Sequence, residues 1–239
     1  MVGGPAVKLL PEYLAGIPGV TIGNDAPGVL QRINPLATRT TTGCIRHCPF
    51  CAIGIGAVES GGLVELEDWP DLPVVCDNNL LAASTQHLER VVERLCHHGW
   101  ADFNQGLDAR LLTQEKARLL SQIKKPLVRL ALDNMTYKQS WLESLDLLLQ
   151  AGIAKSHIRS YCLIAFNSDP IEAWIRCNFV EAHGVLALPM WYHTLKQLES
   201  NIVTDEQKKL GWSEYERTRI MGWFYKHRGE PIKVTAVEI

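Results

Sequence analysis

The chain of 239 residues lacks an excess of charge of either sign: 24 Lys and Arg residues stand against 26 Asp and Glu residues, a formal net charge of -2. Such a balance neither requires nor excludes a nucleic-acid partner, which only a local basic surface would indicate. The sequence also lacks an apolar run long enough to span a bilayer and a basic, then apolar secretory leader. We therefore expect no membrane partner and a cytoplasmic protein.

The chain has seven cysteines. Four of them stand singly in apolar segments and are interpreted as buried core thiols: Cys76, Cys96, Cys162 and Cys177. No second pair of Cys or His residues is placed to complete a structural zinc site, and nothing indicates a second metal cluster. With 46% hydrophobic residues, the chain is long enough for one large core.

The other three cysteines lie together in the segment CIRHCPFC, where Cys44, Cys48 and Cys51 have C-x3-C-x2-C spacing. Three thiolates at this spacing can ligate three irons of a 4Fe-4S cluster, which normally takes four Cys ligands. One iron is then left open, as one position is left open in a catalytic zinc site. The alternative interpretations are a zinc knuckle with His47 as fourth ligand and three unrelated thiols. A thiolate site also favours a reducing cytoplasm, where disulfides do not persist.

This spacing, with the aromatic Phe50 directly before the last cysteine, resembles the signature of the radical S-adenosylmethionine (SAM) superfamily. The resemblance implies that SAM chelates the open iron through its amino and carboxylate groups. One electron, from a donor of the flavodoxin or ferredoxin type, then splits SAM into methionine and a 5'-deoxyadenosyl radical. That radical abstracts a hydrogen atom from the substrate.

Apolar, β-rich runs alternate along the chain with segments of helical period, which predicts βαβ units and a parallel sheet. The six predicted strands cover residues 36–42, 72–77, 101–105, 126–134, 158–167 and 184–193. Helices are predicted from about Ser84 to His97, from an N-cap at Thr113, around Trp141 to Gly152, and from Asp169 and Pro170. Six units are too few for a closed eight-stranded barrel, and the resemblance implies an open, partial (βα)6 TIM-like barrel.

Three regions are expected: an N-terminal cap at residues 1–35, the barrel core at 36–195, and a helical C-terminal tail at 196–239 that packs on the barrel. The beginning of the chain, VGGPAVKLLPEYLAG, looks like the tail of the cobalamin-binding domain of one radical SAM subfamily. Because only that tail is present, no cobalamin is predicted.

Polar side chains follow five of the predicted strands, where parallel α/β folds bind ligands. They are Asp77, Asn78 and Asn79; Asn104, Gln105, Asp108 and Arg110; Asp133 and Asn134; Asn167; and Tyr192 and His193. By location, the Asp77–Asn79 segment replaces the family's Gly-Gly-Glu element that holds the SAM amine. Arg110 or Gln105 is expected to bind the SAM carboxylate, Asp133 the ribose hydroxyls, and Phe50 the adenine. The competing interpretation is that these residues serve turns, caps and ion pairs, with Arg110 pairing with Asp108 or Asp133.

The tail interleaves aromatic and basic residues, among them Lys226 and Arg228, a pattern that suits either nucleic acid or packing against the barrel. The segments NQGLDAR and LALDN look most like short radical SAM proteins of phages and mobile elements, whose location is then the host cytoplasm. That resemblance implies modification of a nucleoside or of DNA. The expected reaction is hydrogen abstraction from a modified pyrimidine or its amino-acid-like side chain, followed by rearrangement or isomerisation. A peptide or metabolite substrate and a non-catalytic zinc or Fe-S protein are the alternatives.

Overall fold

The computed structural model describes residues 8–19, 28–59 and 61–226. Eight strands are found in these ranges: β1 Ala37–Thr38, β2 Thr41–Thr42, β3 Val64–Glu65, β4 Val74–Val75, β5 Ala101–Phe103, β6 Pro126–Ala131, β7 Ile158–Ile164 and β8 Leu186–Trp191. Six of them form one sheet in the order β1-β4-β5-β6-β7-β8, and every neighbouring pair is parallel. The predicted α/β class with a parallel sheet is therefore confirmed.

The helices of the described part are α1 Pro11–Ala15, α2 Val29–Ile33, α3 Thr85–His98, α4 Gln114–Leu120, α5 Lys138–Gln150, α6 Pro170–Ala182, α7 Asp205–Lys209 and α8 Glu214–Lys226. The helix starts predicted from sequence are confirmed. Ser84 and Thr113 accept hydrogen bonds from the first-turn amides of α3 and α4. Asp169 forms a reciprocal capping box with Glu172 at the start of α6.

The longer strands have one face covered by helices and one face that is only half-buried. In β6 and β7, Val128, Leu130, Ile158 and Ile164 are inaccessible to solvent, whereas the alternate residues are partly exposed. The core between sheet and helices includes four residues of α3: Leu88, Val91, Val92 and Leu95. This alternation leaves the second sheet face free to line a cavity.

The prediction of buried thiols holds for two of the four isolated cysteines. Cys162 and Cys177 are buried in the core, but Cys76 and Cys96 are partly exposed. Cys76 follows β4 beside Asn104 and Gln105, on the polar side of the sheet, and Cys96 lies at the edge of α3. An apolar sequence context alone does not specify which face of the element a thiol occupies.

The first predicted strand, residues 36–42, is wrong as one continuous strand. Its first part is β1 in the main sheet, and its last part is β2, which pairs antiparallel with β3. Between them, the backbone amides of Thr40 and Thr41 donate to the carboxylate of Asp77, at 2.6 and 2.9 Å. Each backbone amide has a single N–H to donate. Because Thr40 and Thr41 donate theirs to Asp77, these amides do not donate to a neighbouring strand, and the chain turns before the cysteines.

The C-terminal helices contact the sheet and α6. Trp212 is buried and donates from Nε1 to the Ser168 carbonyl at 2.7 Å, and its ring packs edge-on against Trp191. Phe224 on α8 is also buried, beside Trp174. Packing therefore accounts for these tail aromatics. Among the residues described, no helix has the length and apolar character needed to cross a membrane.

Candidate functional site

The cysteine loop begins directly after β2, at the carboxyl end of the sheet. Gly43 has a positive φ of 71°, and a Cβ there would collide with the carbonyl oxygen of Gly62. A Cβ on Gly54 would likewise collide with the backbone nitrogen and oxygen of Cys48, at 2.5 Å from each. The loop is therefore held at both ends by glycines that allow two backbone segments to touch.

Two N–H groups point at the sulfur of Cys44. The backbone amide of Arg46 lies 3.4 Å from Sγ, and Nδ2 of Asn79 lies 3.6 Å from it. Donors of this kind stabilise a thiolate and tune a cluster bound to it. The structure thus brings Asn79, a predicted site residue, to the first cysteine.

The charges of two strand-end residues, Asp133 and Arg110, affect the pKa of the Cys48 thiol. Burial raises the pKa of the Cys48 thiol, the Asp133 carboxylate raises it further, and Arg110 lowers it; smaller contributions come from Cys51 and Cys44. Asp133 follows β6 and Arg110 follows β5. The cysteine loop and the ends of two separate strands therefore share one region, as the strand-end rule predicts.

Asp133 itself is partly buried. Burial raises its carboxyl pKa to about 6, although Arg176 of α6 and Arg110 act in the opposite direction. Arg176, which the sequence did not single out, is buried and donates to the carbonyl of Leu163. Asp133 is thus a carboxyl group that changes charge close to neutral pH.

Asp108 binds two arginines. Nε of Arg110 donates to Oδ1 at 2.7 Å, and Nε of Arg46 donates to Oδ2 at 2.8 Å. Burial alone would raise the pKa of Asp108, but these bonds hold it below its usual value. Arg110 also stacks over the ring of Tyr137 at 4.5 Å. Because two guanidinium groups share one carboxylate, the network keeps one net positive charge.

Arg46 was missed by sequence reasoning, although it lies within the cysteine motif. Its partner is 62 positions away along the chain, so the pairing has no local signal. The competing interpretation of Arg110, an ion pair with Asp108, is what the structure shows.

Asp77 and Asn78 hold the backbone around the loop. Asp77 is buried, and its second oxygen accepts from Thr40 Oγ1 at 2.5 Å, in addition to the two amides described above. Nδ2 of Asn78 donates to the carbonyl of Gly43 at 3.4 Å and to Glu59 at 3.0 Å. The hydrogen bonds of both side chains therefore orient the entry to the cysteine loop.

Glu59 is a second residue that sequence reasoning missed. Its carboxylate pairs with Arg39, at 2.7 Å from Nη1, and accepts the amide of Gly43. Burial acts to raise the Glu59 pKa, but these bonds and that from Asn78 keep it below the usual value. No motif marks it, because its partners come from two separate segments, one with Arg39 and Gly43 and one with Asn78.

A row of aromatic rings forms one wall of the site. Phe50 of the cysteine loop packs edge-on against Phe166, with centroids 5.4 Å apart, and Phe166 packs against Tyr192 at 4.8 Å. Phe166 follows β7, so its position agrees with the rule that ligands bind at strand ends. It was not predicted because only polar residues were selected at the strand ends. Phe50 and Tyr192 are thus brought together through a residue that was not predicted.

The remaining predicted residues lie around this region. Gln105 lies beside Cys76. Asn167 has a positive φ of 47°, which identifies it as a turn residue. Burial and the charge of Arg217 lower the pKa of His193. Lys226 ends α8. Arg228 and the Gly-Gly-Pro element at residues 3–5 lie outside the described residues.

Below the strand ends, the half-buried sheet face borders a cavity of about 660 Å³. Two arginines, two tyrosines and four apolar side chains line it: Arg129, Arg159, Tyr161, Tyr225, Leu127, Leu186, Leu188 and Met190. The hydroxyl of Tyr161 donates to the carbonyl of Asn104 at 2.8 Å. This tyrosine links the cavity wall to the strand ends.

The three loop cysteines are free thiols and partly exposed. Within the described ranges, no three His, Cys, Asp or Glu side chains converge in a way that could hold one metal ion. A zinc site with His47 therefore has no support there. The requirement for a 4Fe-4S cluster is different, because each cysteine ligates a different iron and the sulfurs need not converge on one point. The observations that bear on such a cluster are the two N–H donors at Cys44 and the partial exposure of all three thiols.

Comparison with models of known protein families gives no match, and comparison with curated protein sequences gives none either.

Proposed function

We propose that this protein is a radical SAM enzyme. The observation that carries the proposal is the position of the C-x3-C-x2-C loop, whose Cys48 lies among charged residues from the carboxyl ends of parallel strands. In this proposal Cys44, Cys48 and Cys51 hold a 4Fe-4S cluster. When bound, that cluster supplies the electron that cleaves SAM to methionine and the 5'-deoxyadenosyl radical, which takes a hydrogen atom from the substrate.

The strand order supports the proposed partial (βα)6 barrel. The six parallel strands follow one another across the sheet in chain order, without reversal. Because parallel crossovers are right-handed, connections that all step in one direction put their helices on the same face. The sheet then curves around its other face, which here is the half-buried face that borders the cavity.

The residues of the site have separate roles in this proposal. Asn79 and the amide of Arg46 orient and stabilise the Cys44 thiolate. Arg110 binds the carboxylate of SAM with one edge of its guanidinium group while Asp108 occupies the other. Asp133 accepts from ribose hydroxyls when it is ionised, above its pKa of about 6. Phe50, supported by Phe166, contacts the adenine.

The substrate in this proposal is a modified pyrimidine nucleoside, altered by rearrangement or isomerisation. In this proposal its base packs against Tyr192, which lies on the other side of Phe166 from the adenine-contacting Phe50. A DNA surface was inferred from the aromatic and basic tail, but Trp212 and Phe224 are buried in the fold. The nucleoside therefore has more support than the duplex.

The test is an anaerobic assay for 5'-deoxyadenosine. The protein is reconstituted with iron and sulfide and mixed with SAM and a strong reductant, and the products are separated by chromatography. We expect 5'-deoxyadenosine from the unmodified protein and none from Cys44→Ala, Cys48→Ala or Cys51→Ala. Cys96→Ala is the matched control, since this thiol lies on α3, away from the loop.

Two results would overturn the proposal. One is a protein that takes up only zinc, without the absorption of an iron-sulfur cluster. The other is a reconstituted cluster that never cleaves SAM. Loss of activity in Cys96→Ala with the cluster intact would show that the cysteines were assigned wrongly.

A further inference from the structure

A buried histidine lies in the first turn of α3, and its ring is held by neighbouring side chains. His87 is only 2% exposed. Its ring packs on that of Trp69, with centroids 5.0 Å apart, and the guanidinium group of Arg94 covers Trp69 at 4.4 Å. The backbone N–H of His87 donates to the hydroxyl of Ser84, the N-cap of the helix. The fold therefore fixes the ring in one position.

The Nε2 atom of this ring lies 3.1 Å from the hydroxyl oxygen of Thr40. Thr40 is fully buried, and its hydroxyl donates its one hydrogen to Oδ2 of Asp77. The hydroxyl oxygen can then only accept from the ring, which assigns Nε2 of His87 as the donor. The imidazolium form also carries a hydrogen at Nε2, so this bond does not depend on the charge of the ring.

Charged groups face the ring from several elements. Oε2 of Glu65 in β3 lies 3.8 Å from Nδ1 of His87, an atom without a hydrogen-bond partner among the described residues. Burial lowers the pKa of His87, the carboxylates of Glu65 and Asp77 act in the opposite direction, and Arg90 of α3 lowers it. Glu65 also accepts from the amide and the hydroxyl of Ser84, at 2.6 and 3.0 Å. The start of α3 is thus bound to β3, which pairs with β2 directly before the cysteines.

From Thr40 the contacts continue to the first cysteine. Oδ1 of Asp77 accepts the amides of Thr40 and Thr41, where the chain turns toward the cysteine loop. Asn79, two residues after Asp77, reaches Sγ of Cys44 with Nδ2. A shift of Asp77 would therefore change both the turn before the loop and the donor at its first sulfur. Hydrogen bonds in such a buried chain strengthen one another, and removal of one member leaves polar groups without partners.

We propose that His87 is a positioning residue for the cysteine loop, which it orients through Thr40 and Asp77. The donor at Nε2 directs the hydroxyl of Thr40 at Asp77, so that this carboxylate is held against the two amides of the turn. All three residues are at most 3% exposed, so water does not readily replace a lost partner. The consequence of this role for SAM cleavage rests on the proposed function, because only there does the loop carry a cluster.

The test is amide hydrogen exchange of the metal-free protein, resolved by residue with NMR. In His87→Phe, which keeps an aromatic ring without the donor, we expect the amides of Thr40 and Thr41 to exchange about tenfold faster, as for the loss of one buried hydrogen bond. Amides of β6 and β7 should keep their rates. Equal acceleration in all these places would show that His87 only stabilises the fold. That result, or unchanged exchange at Thr40 and Thr41, would overturn the proposal.

Two further variants show whether His87 acts through Thr40. Thr40→Val removes the hydroxyl but keeps the backbone amide, and it should accelerate the same amides even if His87→Phe does not fold. His87→Gln, which restores an N–H donor, should return the rates toward those of the unmodified protein. His97→Phe, at an exposed position of the same helix, is the control and should change nothing. No effect of Thr40→Val, or an equal effect of His97→Phe, would contradict the proposal.

A double variant sharpens the assignment. With His87→Phe and Thr40→Val together, the rates should not exceed those of the stronger single variant, because both changes break the same chain of hydrogen bonds. Rates that multiply would show that His87 acts on the loop by another route, against the proposal.

The outcome is separable from that of the proposed function. Faster exchange at Thr40 and Thr41 in His87→Phe, in a protein that never forms 5'-deoxyadenosine, would uphold the positioning role and reject the radical mechanism. Formation of 5'-deoxyadenosine at an unchanged rate in His87→Phe, with unchanged amide exchange, would do the reverse.

Discussion

The half of the sheet that carries the cysteine loop is built differently from the half that follows it. Strands β1 and β4, on either side of the loop in sequence, have two residues each, whereas β6, β7 and β8 have six or seven. The first half is held by side-chain hydrogen bonds to backbone, centred on Asp77 and Glu59. The second half is held by alternating apolar residues and the helices packed on them.

The difference follows from what each half positions. A loop that presents three thiols cannot follow a regular ladder, so its amides need side-chain acceptors. The long strands have no such constraint and supply a rigid wall for the cavity. Substitutions in the first half should therefore change the stability of the protein through charge and pH. Substitutions in the second half should change it through side-chain volume.

The largest effect is expected from Trp141→Ala in the apolar half. Trp141 is inaccessible to solvent, and its Nε1 donates to Ser160 Oγ at 3.0 Å. Replacement leaves a large cavity and removes the donor to Ser160 Oγ, at a cost of about 3–5 kcal/mol in the free energy of unfolding. Denaturant titration measures it. Trp100→Ala, at a partly exposed position, is the control, and an equal loss there would contradict the comparison.

In the cysteine half, Asp77→Ala should cost about 2–3 kcal/mol, because two backbone amides and one hydroxyl lose their acceptor. Asp77→Asn should cost much less. Its amide oxygen still accepts from Thr40 and Thr41, and the change removes a carboxylate whose pKa burial raises. Exposed Asp146→Ala is the control for both. An equal loss from Ala and Asn would show that charge, and not hydrogen-bond acceptance, matters at this position.

Asp133→Asn should stabilise the metal-free protein, and more so as pH rises. The folded-state pKa of about 6 is above the ordinary value of 3.8, so ionisation costs stability as pH increases through 6. At about 1.4 kcal/mol per pKa unit the shift corresponds to about 3 kcal/mol, which the partial exposure of Asp133 reduces to on the order of 2 kcal/mol at pH 8. The gain disappears below about pH 4. Thermal unfolding across pH measures this, with Asp146→Asn as control. A gain independent of pH would contradict the assignment.

The smallest effect, of opposite sign, is expected from Glu59→Gln. Because the pKa of Glu59 is held below its usual value, its contribution is present above the unfolded-state pKa and is lost as pH falls through the folded-state pKa. The variant should be less stable by about 1 kcal/mol at pH 7, after solvent screening, and unchanged at pH 3. A deficit that persists at pH 3 would show that shape, and not charge, is responsible.

Much of the second half could be predicted from sequence. The periodicity of β6 to β8, the caps Ser84, Thr113 and Asp169, and the parallel order all follow from local patterns and short connections. The first half was predicted less well. Residues 36–42 have strand composition, but the carboxylate of Asp77, 37 positions away from Thr40, interrupts the strand. Composition reports local preference, and a distant acceptor overrides it.

The sequence by itself determined the spacing of the three cysteines, the alternation that makes a parallel sheet, and the set of strand ends where a site would form. These depend on neighbours a few residues apart. Only the tertiary structure decided that Arg46 pairs with Asp108, that Phe166 joins Phe50 to Tyr192, and that Arg129 and Arg159 lie side by side. Each of these contacts joins separate segments, and strand register and helix packing, which are collective properties of the whole chain, bring the segments together.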